Sequence, residues 1–244
     1  MPPLRDGDRL NREEFHRRYE AMPSGVPETK YREVWAELVE GVVHLDRVPG
    51  DIRSGRARAE IAMWLGHYTA ATCGVSGGSH MSMLLDDQNE YQPASMLIMT
   101  EAAGGRTRFD AAGHITVPPE LVVEVRDRAT RIEAETKPSV YTRHGVREHL
   151  VVLLGETPAE VRWMTLDPAH GPTPIKPDAD GVIKSGVFPG LWLDPAALLA
   201  GDGAKLLATL DRGLATDEHV DFAERVKPTN AQESPTRRSP HIRT

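Results

Sequence analysis

Glu124 stands where a hydrophobic residue belongs. Leu121, Val122, Val123 and Val125 make a short β-branched run, the pattern of a strand buried on both faces, and one carboxylate interrupts it. An unpaired carboxylate taken into a core costs several kcal/mol, so Glu124 must meet a cation, sit at the open end of a sheet, or keep its proton. Three readings compete: a metal ligand, a structural ion pair with Lys137 or an arginine, and exposure at a strand end. The two structural readings are the commoner fate of such a residue. Its neighbourhood is basic, however. Residues 126–147 hold six Lys or Arg (Arg126, Arg128, Arg131, Lys137, Arg143, Arg147) against three acids (Asp127, Glu133, Glu135), and Glu37 and Glu40 lie upstream. A strand-end carboxylate beside cations, preceded by other acids, is what metal-assisted phosphodiester hydrolysis requires. Magnesium binds one or two carboxylates plus phosphate oxygens, a lysine or the metal activates water, and cations neutralise the charge that develops on phosphorus.

Other chemistries find less support. No glycine loop is followed by Lys-Ser or Lys-Thr, so a phosphate cradle is absent; Gly77-Gly78 and Gly104-Gly105 read as turns. None of the ten histidines makes a zinc-type pair with a neighbouring acid on a helix, and His144 and His149 are separated by the break at Gly145. Cys73 follows a helix end with no base nearby and reads as a buried, inert thiol. The serine-hydrolase elbow is missing as well.

The elements that must position these residues follow from pattern. Asn11 with Glu14 predicts a capped helix to about Met22, with Phe15 and Tyr19 on one side, before a Pro/Gly break at residues 23–27. Residues 35–45 predict a hairpin about Glu40-Gly41, carrying Glu37 and Glu40. The spacing of Ile61, Trp64, Leu65 and Tyr68 predicts a helix over 54–72, whose arginines Arg53, Arg56 and Arg58 read as a solvated face. Alternation predicts a strand over 80–85, a polar turn, and a partner strand at 95–100; residues 101–117 read as an exposed loop. After the Glu124 strand come a helix over 131–144 with Pro138 inside and Gly145 as its stop, strands at 149–154 and 160–166, a polar loop over 167–181, a strand at 182–188, and closing helices over 193–200, 204–214 and 217–226. The order predicts an α/β fold, a mixed sheet flanked by helices.

Composition limits the class. The 244 residues with 39% hydrophobic content suit one domain with tails: a tail at 1–9, the main domain at 10–200, a helical extension at 201–226 and a disordered tail at 227–244. A net charge of -7 excludes coating of nucleic acid by bulk positive charge, leaving room only for a local basic groove. One cysteine, no signal-like segment and no membrane-length apolar stretch point to a cytoplasmic, non-membrane protein.

Five stretches in order carry a resemblance: Ala36-Glu37-Leu38-Val39-Glu40-Gly41-Val42-Val43, Asn89-Glu90-Tyr91-Gln92-Pro93, Pro119-Glu120-Leu121-Val122-Val123-Glu124-Val125, Lys137 through Tyr141 to Gly145-Val146-Arg147-Glu148, and Phe188-Pro189-Gly190-Leu191-Trp192-Leu193-Asp194. Over residues 10–200 the chain resembles the Uma-two family of endonucleases, within the PD-(D/E)xK restriction-endonuclease-like superfamily. The resemblance implies a restriction-endonuclease-like fold and an endonuclease hydrolysing DNA phosphodiester bonds with Mg2+ or Mn2+. It implies Glu124 as metal ligand, Lys137 orienting or activating water, and Glu37 assisting. Ala94 departs from the pattern, standing where the family has its metal-binding Asp; weak metal binding and weakened hydrolysis are therefore expected. The alternative is a degenerate member that binds nucleic acid or a protein partner without cleavage. Arg126 occupies the second position after Glu124, where other branches of the superfamily keep a lysine; its guanidinium stays protonated and is assigned, with Arg128 and Arg131, to phosphate contact, or to pairing with Glu124. By superfamily analogy a homodimer is expected.

Overall fold

In the computed structural model, which describes residues 2–22, 34–47 and 51–228, helix α1 (Arg12–Glu20) begins where the Asn11 side chain accepts the Glu14 N–H. Phe15 faces inward and stacks on Tyr19 at 5.8 Å. Strands β1 (Val34–Val39) and β2 (Val42–Arg47) form the expected antiparallel hairpin. Its turn residues, Glu40 and Gly41, have φ of 50° and 75°, the primed geometry that matches the twist of the strands. Glycine adopts this freely, and Glu40 is held there by donating its N–H to the Asn89 side chain. Gly7 and Leu10 donate to the Val43 and Gly41 carbonyls and Leu4 is buried against the hairpin, so residues 4–10 run along its edge. The break expected at 23–27 and the tail from residue 229 onward lie outside the described residues.

Helix α2 (Ile52–Ala71) is capped by Asp51 and buries Ile61, Trp64, Leu65 and Tyr68 as its periodicity predicts. Its arginines do more than face solvent: Arg53, Arg56 and Arg58 donate to the carbonyls of Leu154, Gly201 and Val125. The N-terminal half of α2 abuts strand and loop ends whose carbonyls need donors. Cys73, expected to be buried, is exposed, because it lies past the helix end rather than on its packed side.

Strand β3 (Val75–Gly78) forms where the two glycines suggest a turn. Strands β4 (Met83–Asp86) and β5 (Asn89–Tyr91) make a hairpin. Strand β6 (Ser95–Met99), expected to pair with residues 80–85, pairs instead with β3 and with β9 (Leu121–Arg126). Buried Pro93 has no N–H to continue the β5 ladder, and there the chain crosses from one sheet to the other. The stretch expected as an exposed loop at 101–117 contains β7 (Arg108–Phe109) and β8 (Ile115–Val117), with Ile115 fully buried beside Met83.

After β9, one π-helical turn (Ile132–Thr136) leads into α3 (Lys137–His144), with Pro138 in its first turn and Gly145 closing it at φ 88°. Strand β10 (Glu148–Leu153) runs parallel to β9, and β11 (Glu160–Asp167) returns antiparallel. Strand β12 (Gly171–Pro174) pairs with β11 inside the expected polar loop. The short pair β13 (Ile183–Lys184) and β14 (Trp192–Leu193) precedes α4 (Pro195–Ala200), α5 (Gly203–Leu214) and α6 (Asp217–Val226).

The result is a mixed α/β fold with two six-stranded sheets, β2-β1-β5-β4-β8-β7 and β12-β11-β10-β9-β6-β3. Strand β9 divides the interior. Leu121, Val123 and Val125 enter the main core with Ile61, Trp64, Leu206 and Phe222, while Val122 on the other face meets Tyr91, Val140 and Tyr141. Among the described residues no helix is long and apolar enough to cross a membrane.

Candidate functional site: an ion-pair cluster on β9

All six residues of β9 are buried. Side chains alternate along a strand, so Glu124 and Arg126 share the face that α3 and the hairpin cover. Glu124 is 1% exposed, Glu37 6%, Arg126 9%, and Lys137 not at all. Charges buried this deeply persist only when paired, and here they are. Lys137 Nζ lies 2.7 Å from Glu37 Oε2 and 3.1 Å from Glu124 Oε1, with Glu133 Oε1 at 3.9 Å one turn away. Arg126 Nη2 lies 2.9 Å from Glu37 Oε2 and 2.9 Å from Glu124 Oε2, and Arg126 Nε is 3.5 Å from Glu133 Oε1. Three carboxylates thus face two cations. The Tyr141 hydroxyl donates to Glu124 Oε1 at 2.9 Å, and the Gln92 N–H to Glu37 Oε1 at 3.3 Å. Lys137 Nζ is also 5.3 Å from the centre of the Tyr91 ring.

The electrostatics follow from burial and these partners. Desolvation alone would raise the Glu124 carboxyl; Arg126 and then Lys137 outweigh it and hold the group at about 2. Burial, followed by the charges of Glu124 and Glu37, pushes the Tyr141 phenol well above its usual range, so Tyr141 is a proton donor in the cluster. His149, on β10, has neither ring nitrogen hydrogen-bonded, and its ring lies 5.0 Å from that of Tyr141. Burial pushes its pKa down to about 4.

The structure brings Glu37, Glu124, Lys137 and Arg126 together and separates the other cations. Arg128 and Arg131 are exposed and pair with Asp127 and Glu135; Arg143 bridges Glu40 and Asp86 on the outer side of α3. A cavity of about 290 Å³ opens at the cluster, lined by Glu37, His44, Arg126, Arg128, Thr130 and Glu133 among others. A larger one, about 450 Å³, lies at Arg106, Arg147 and Asp167, away from Glu124. The sequence reading gave no role to Tyr141, Glu133 or His149. Glu133 lies four residues before Lys137 and Tyr141 four after it, the helical spacing that could have flagged both; His149 carries no local signal.

Ala94 directly precedes β6, whose register sets Ser95 opposite Val123. Its methyl is 5% exposed and packs with the main core. The donors present do not fit a divalent cation as arranged. Glu37 Oε2 and both Glu124 oxygens are engaged by Lys137 or Arg126. Position 94 carries a methyl and offers no ligand atom, and among the described residues the trio of close metal-ligating groups is elsewhere, at His16, Glu20 and His114.

The family model of Uma2, described as "Putative restriction endonuclease", matches residues 13–196. The chain belongs to the Uma2 family. That span contains every member of the cluster. A crystal structure of a putative nuclease belonging to DUF820 from Anabaena variabilis ATCC 29413 is similar at 12% identity and a TM-score of 0.48, over 76% of this chain and 94% of that one. No curated protein matches the chain.

Proposed function

We propose that the Glu37, Glu124 and Lys137 cluster is the DNA-phosphodiester site of the Uma2 endonuclease framework, silenced in this chain, so that the protein engages nucleic-acid backbone without cutting it. The observation that carries this reading is the Arg126 guanidinium, which bridges Glu37 and Glu124 at 2.9 Å each. A guanidinium stays protonated and cannot serve as a base; what it does here is neutralise the two carboxylates that magnesium or manganese would need. Ala94 removes a further donor. Loss of even an outer-shell partner costs a metal site about 10- to 100-fold, and loss of a ligand costs at least that. Displacing Arg126 breaks a buried ion pair, at about 3–5 kcal/mol, a further factor of more than about 100. The cavity beside Glu37 and Arg126, with exposed Arg128 at its rim, would receive the phosphate backbone. The one cysteine, exposed and free, suits the reducing compartment of a cytoplasmic protein.

The test is a plasmid-nicking assay with magnesium and with manganese, on the wild type, Ala94→Asp, Arg126→Leu and the double variant. The wild type should leave the plasmid intact, and the double variant should nick it in a Lys137-dependent manner. Nicking by the wild type that disappears in Lys137→Met would overturn silencing and establish an active endonuclease; a folded double variant that binds no DNA would overturn the phosphodiester site itself.

A further inference from the structure

A second constellation lies on the other sheet, outside the nuclease cluster. Helix α1 carries His16 and Glu20 four residues apart on one side, with His16 Nε2 3.4 Å from Glu20 Oε1. This corrects the expectation that no histidine pairs with an acid on a helix. The turn between β7 and β8 brings His114 to the same place, its ring edge-on to His16 at 4.9 Å. One donor atom from each of His16, Glu20 and His114 lies within 4.8 Å of the others.

What distinguishes this trio from a surface ion pair is the layer behind it. His16 Nδ1 lies 2.7 Å from Glu90 Oε1, and His114 Nδ1 lies 3.1 Å from Asp110 Oδ2. A carboxylate behind a histidine holds the proton on Nδ1 and leaves the Nε2 lone pair facing outward, the arrangement that orients imidazoles toward a metal and raises their basicity. Both supports are built in. Glu90 is 1% exposed on β5, and its Oε2 is buried without a hydrogen-bond partner. Asp110 Oδ1 accepts the N–H groups of Ala112 and His114, fixing the turn that carries the second histidine. A fully buried carboxylate spent on orienting one imidazole is costly in a protein that needs only a helix-surface contact there. The positive charge of Arg12 also acts on Glu90, so the local field is not purely anionic.

We propose that His16, His114 and Glu20 form a zinc-binding site, two imidazoles and one carboxylate with water in the fourth position. Nitrogen donors select zinc and its transition-metal neighbours over magnesium and calcium, which take oxygen ligands. With zinc bonds of about 2.0–2.1 Å, tetrahedral donors sit roughly 3.4 Å apart. His16 Nε2 and Glu20 Oε1 already stand at that spacing, with Glu20 62% exposed at the end of α1, and the three donors, within 4.8 Å of one another, would draw closer around the ion. The ion would staple α1 to the β7–β8 turn at the edge of the first sheet.

The test uses untagged full-length protein stripped of metal, titrated with Zn2+ by calorimetry and with Co2+ by its visible absorption. Wild type should bind one equivalent with a low-symmetry cobalt spectrum and a higher thermal midpoint. His114→Ala, a change in an exposed turn, should weaken binding at least 100-fold and lose the thermal shift while melting like the wild type without metal. His170→Ala, at an exposed histidine outside the trio, should bind zinc as the wild type does. Absence of stoichiometric binding to the wild type, equal affinity in His114→Ala, or loss of binding in His170→Ala would each overturn the proposal. None of these readouts depends on DNA binding or cleavage.

Discussion

The Lys137 ammonium, wholly buried, lies 3.1 Å from Glu124 Oε1 in a strand that otherwise presents only aliphatic side chains and Arg126. Neither charge is tolerable alone. Removing one partner of a buried pair costs about 3–5 kcal/mol because the other is left uncompensated, whereas removing both costs far less than the sum. Lys137→Met should therefore lower the unfolding free energy in urea by that amount, and adding Glu124→Gln should recover part of it. Additive losses would mean that the two side chains do not stabilise each other.

Glu148 makes a second, purely structural claim on a buried carboxylate. It accepts from the Trp163 indole at 3.1 Å, the Ser185 hydroxyl at 2.7 Å, and the N–H groups of Gly186 and Val187 at 2.8 and 3.1 Å. These bonds tie β10 to the segment that leads into the Phe188-Pro189-Gly190 turn. Each donor left bare costs about 1–3 kcal/mol, so Glu148→Ala should lose more than about 3 kcal/mol, and Glu148→Gln less, because the amide keeps one acceptor oxygen. Equal losses for the two variants would show that packing rather than hydrogen bonding sets the cost.

How far the sequence carried this picture depends on whether the signal was local. The hairpin at Glu40-Gly41, the Asn11 cap and the Gly145 stop were legible because each is set by the φ or the side chain of one or two residues. Glu124 and Lys137 were legible as a strand acid followed by a helix lysine. The bridging by Arg126 was only half legible: a two-residue spacing puts it on the face of Glu124, but Glu37 reaches it from a hairpin 89 residues earlier. Strands β3 and β12 escaped notice because Gly77, Gly78, Pro172 and Pro174 carry little strand propensity and rely on neighbours' backbones. The meeting of His16 with His114 joins helix α1 to the turn between β7 and β8 and had no trace at all in either segment.

His149 gives the cluster a pH dependence of known sign. In the unfolded chain its imidazole takes a proton near pH 6.5; in the fold, burial holds that off until about 4. Between those values the unfolded state binds more protons, so stability present above pH 6.5 is lost as pH falls toward 4, by up to about 3 kcal/mol at 1.36 kcal/mol per pH unit. Glu124, held at about 2 against 4.5, adds a further loss below pH 4.5. Urea midpoints measured from pH 7 to 4 should fall steeply in the wild type and much less in His149→Phe. An unchanged slope in the variant would assign the acid sensitivity to other groups.

Arg128 and Arg131, with side chains 79% and 86% exposed, are the cations that the proposed function would set against the DNA backbone, since Arg126 and Lys137 are locked inside. Their ion pairs with Asp127 and Glu135 are solvent-screened and worth little, so exchange for a phosphate is cheap. Each phosphate neutralised contributes roughly 0.9 to the slope of log K against log salt on duplex DNA. Replacing both with alanine should therefore weaken DNA binding and reduce that slope by about 2, equally for unrelated sequences, since phosphate contacts carry no base information. Arg126→Leu, by contrast, should leave the slope nearly unchanged, because its guanidinium is already neutralised by Glu37 and Glu124. A slope insensitive to Arg128 and Arg131 would move the DNA path away from the cavity.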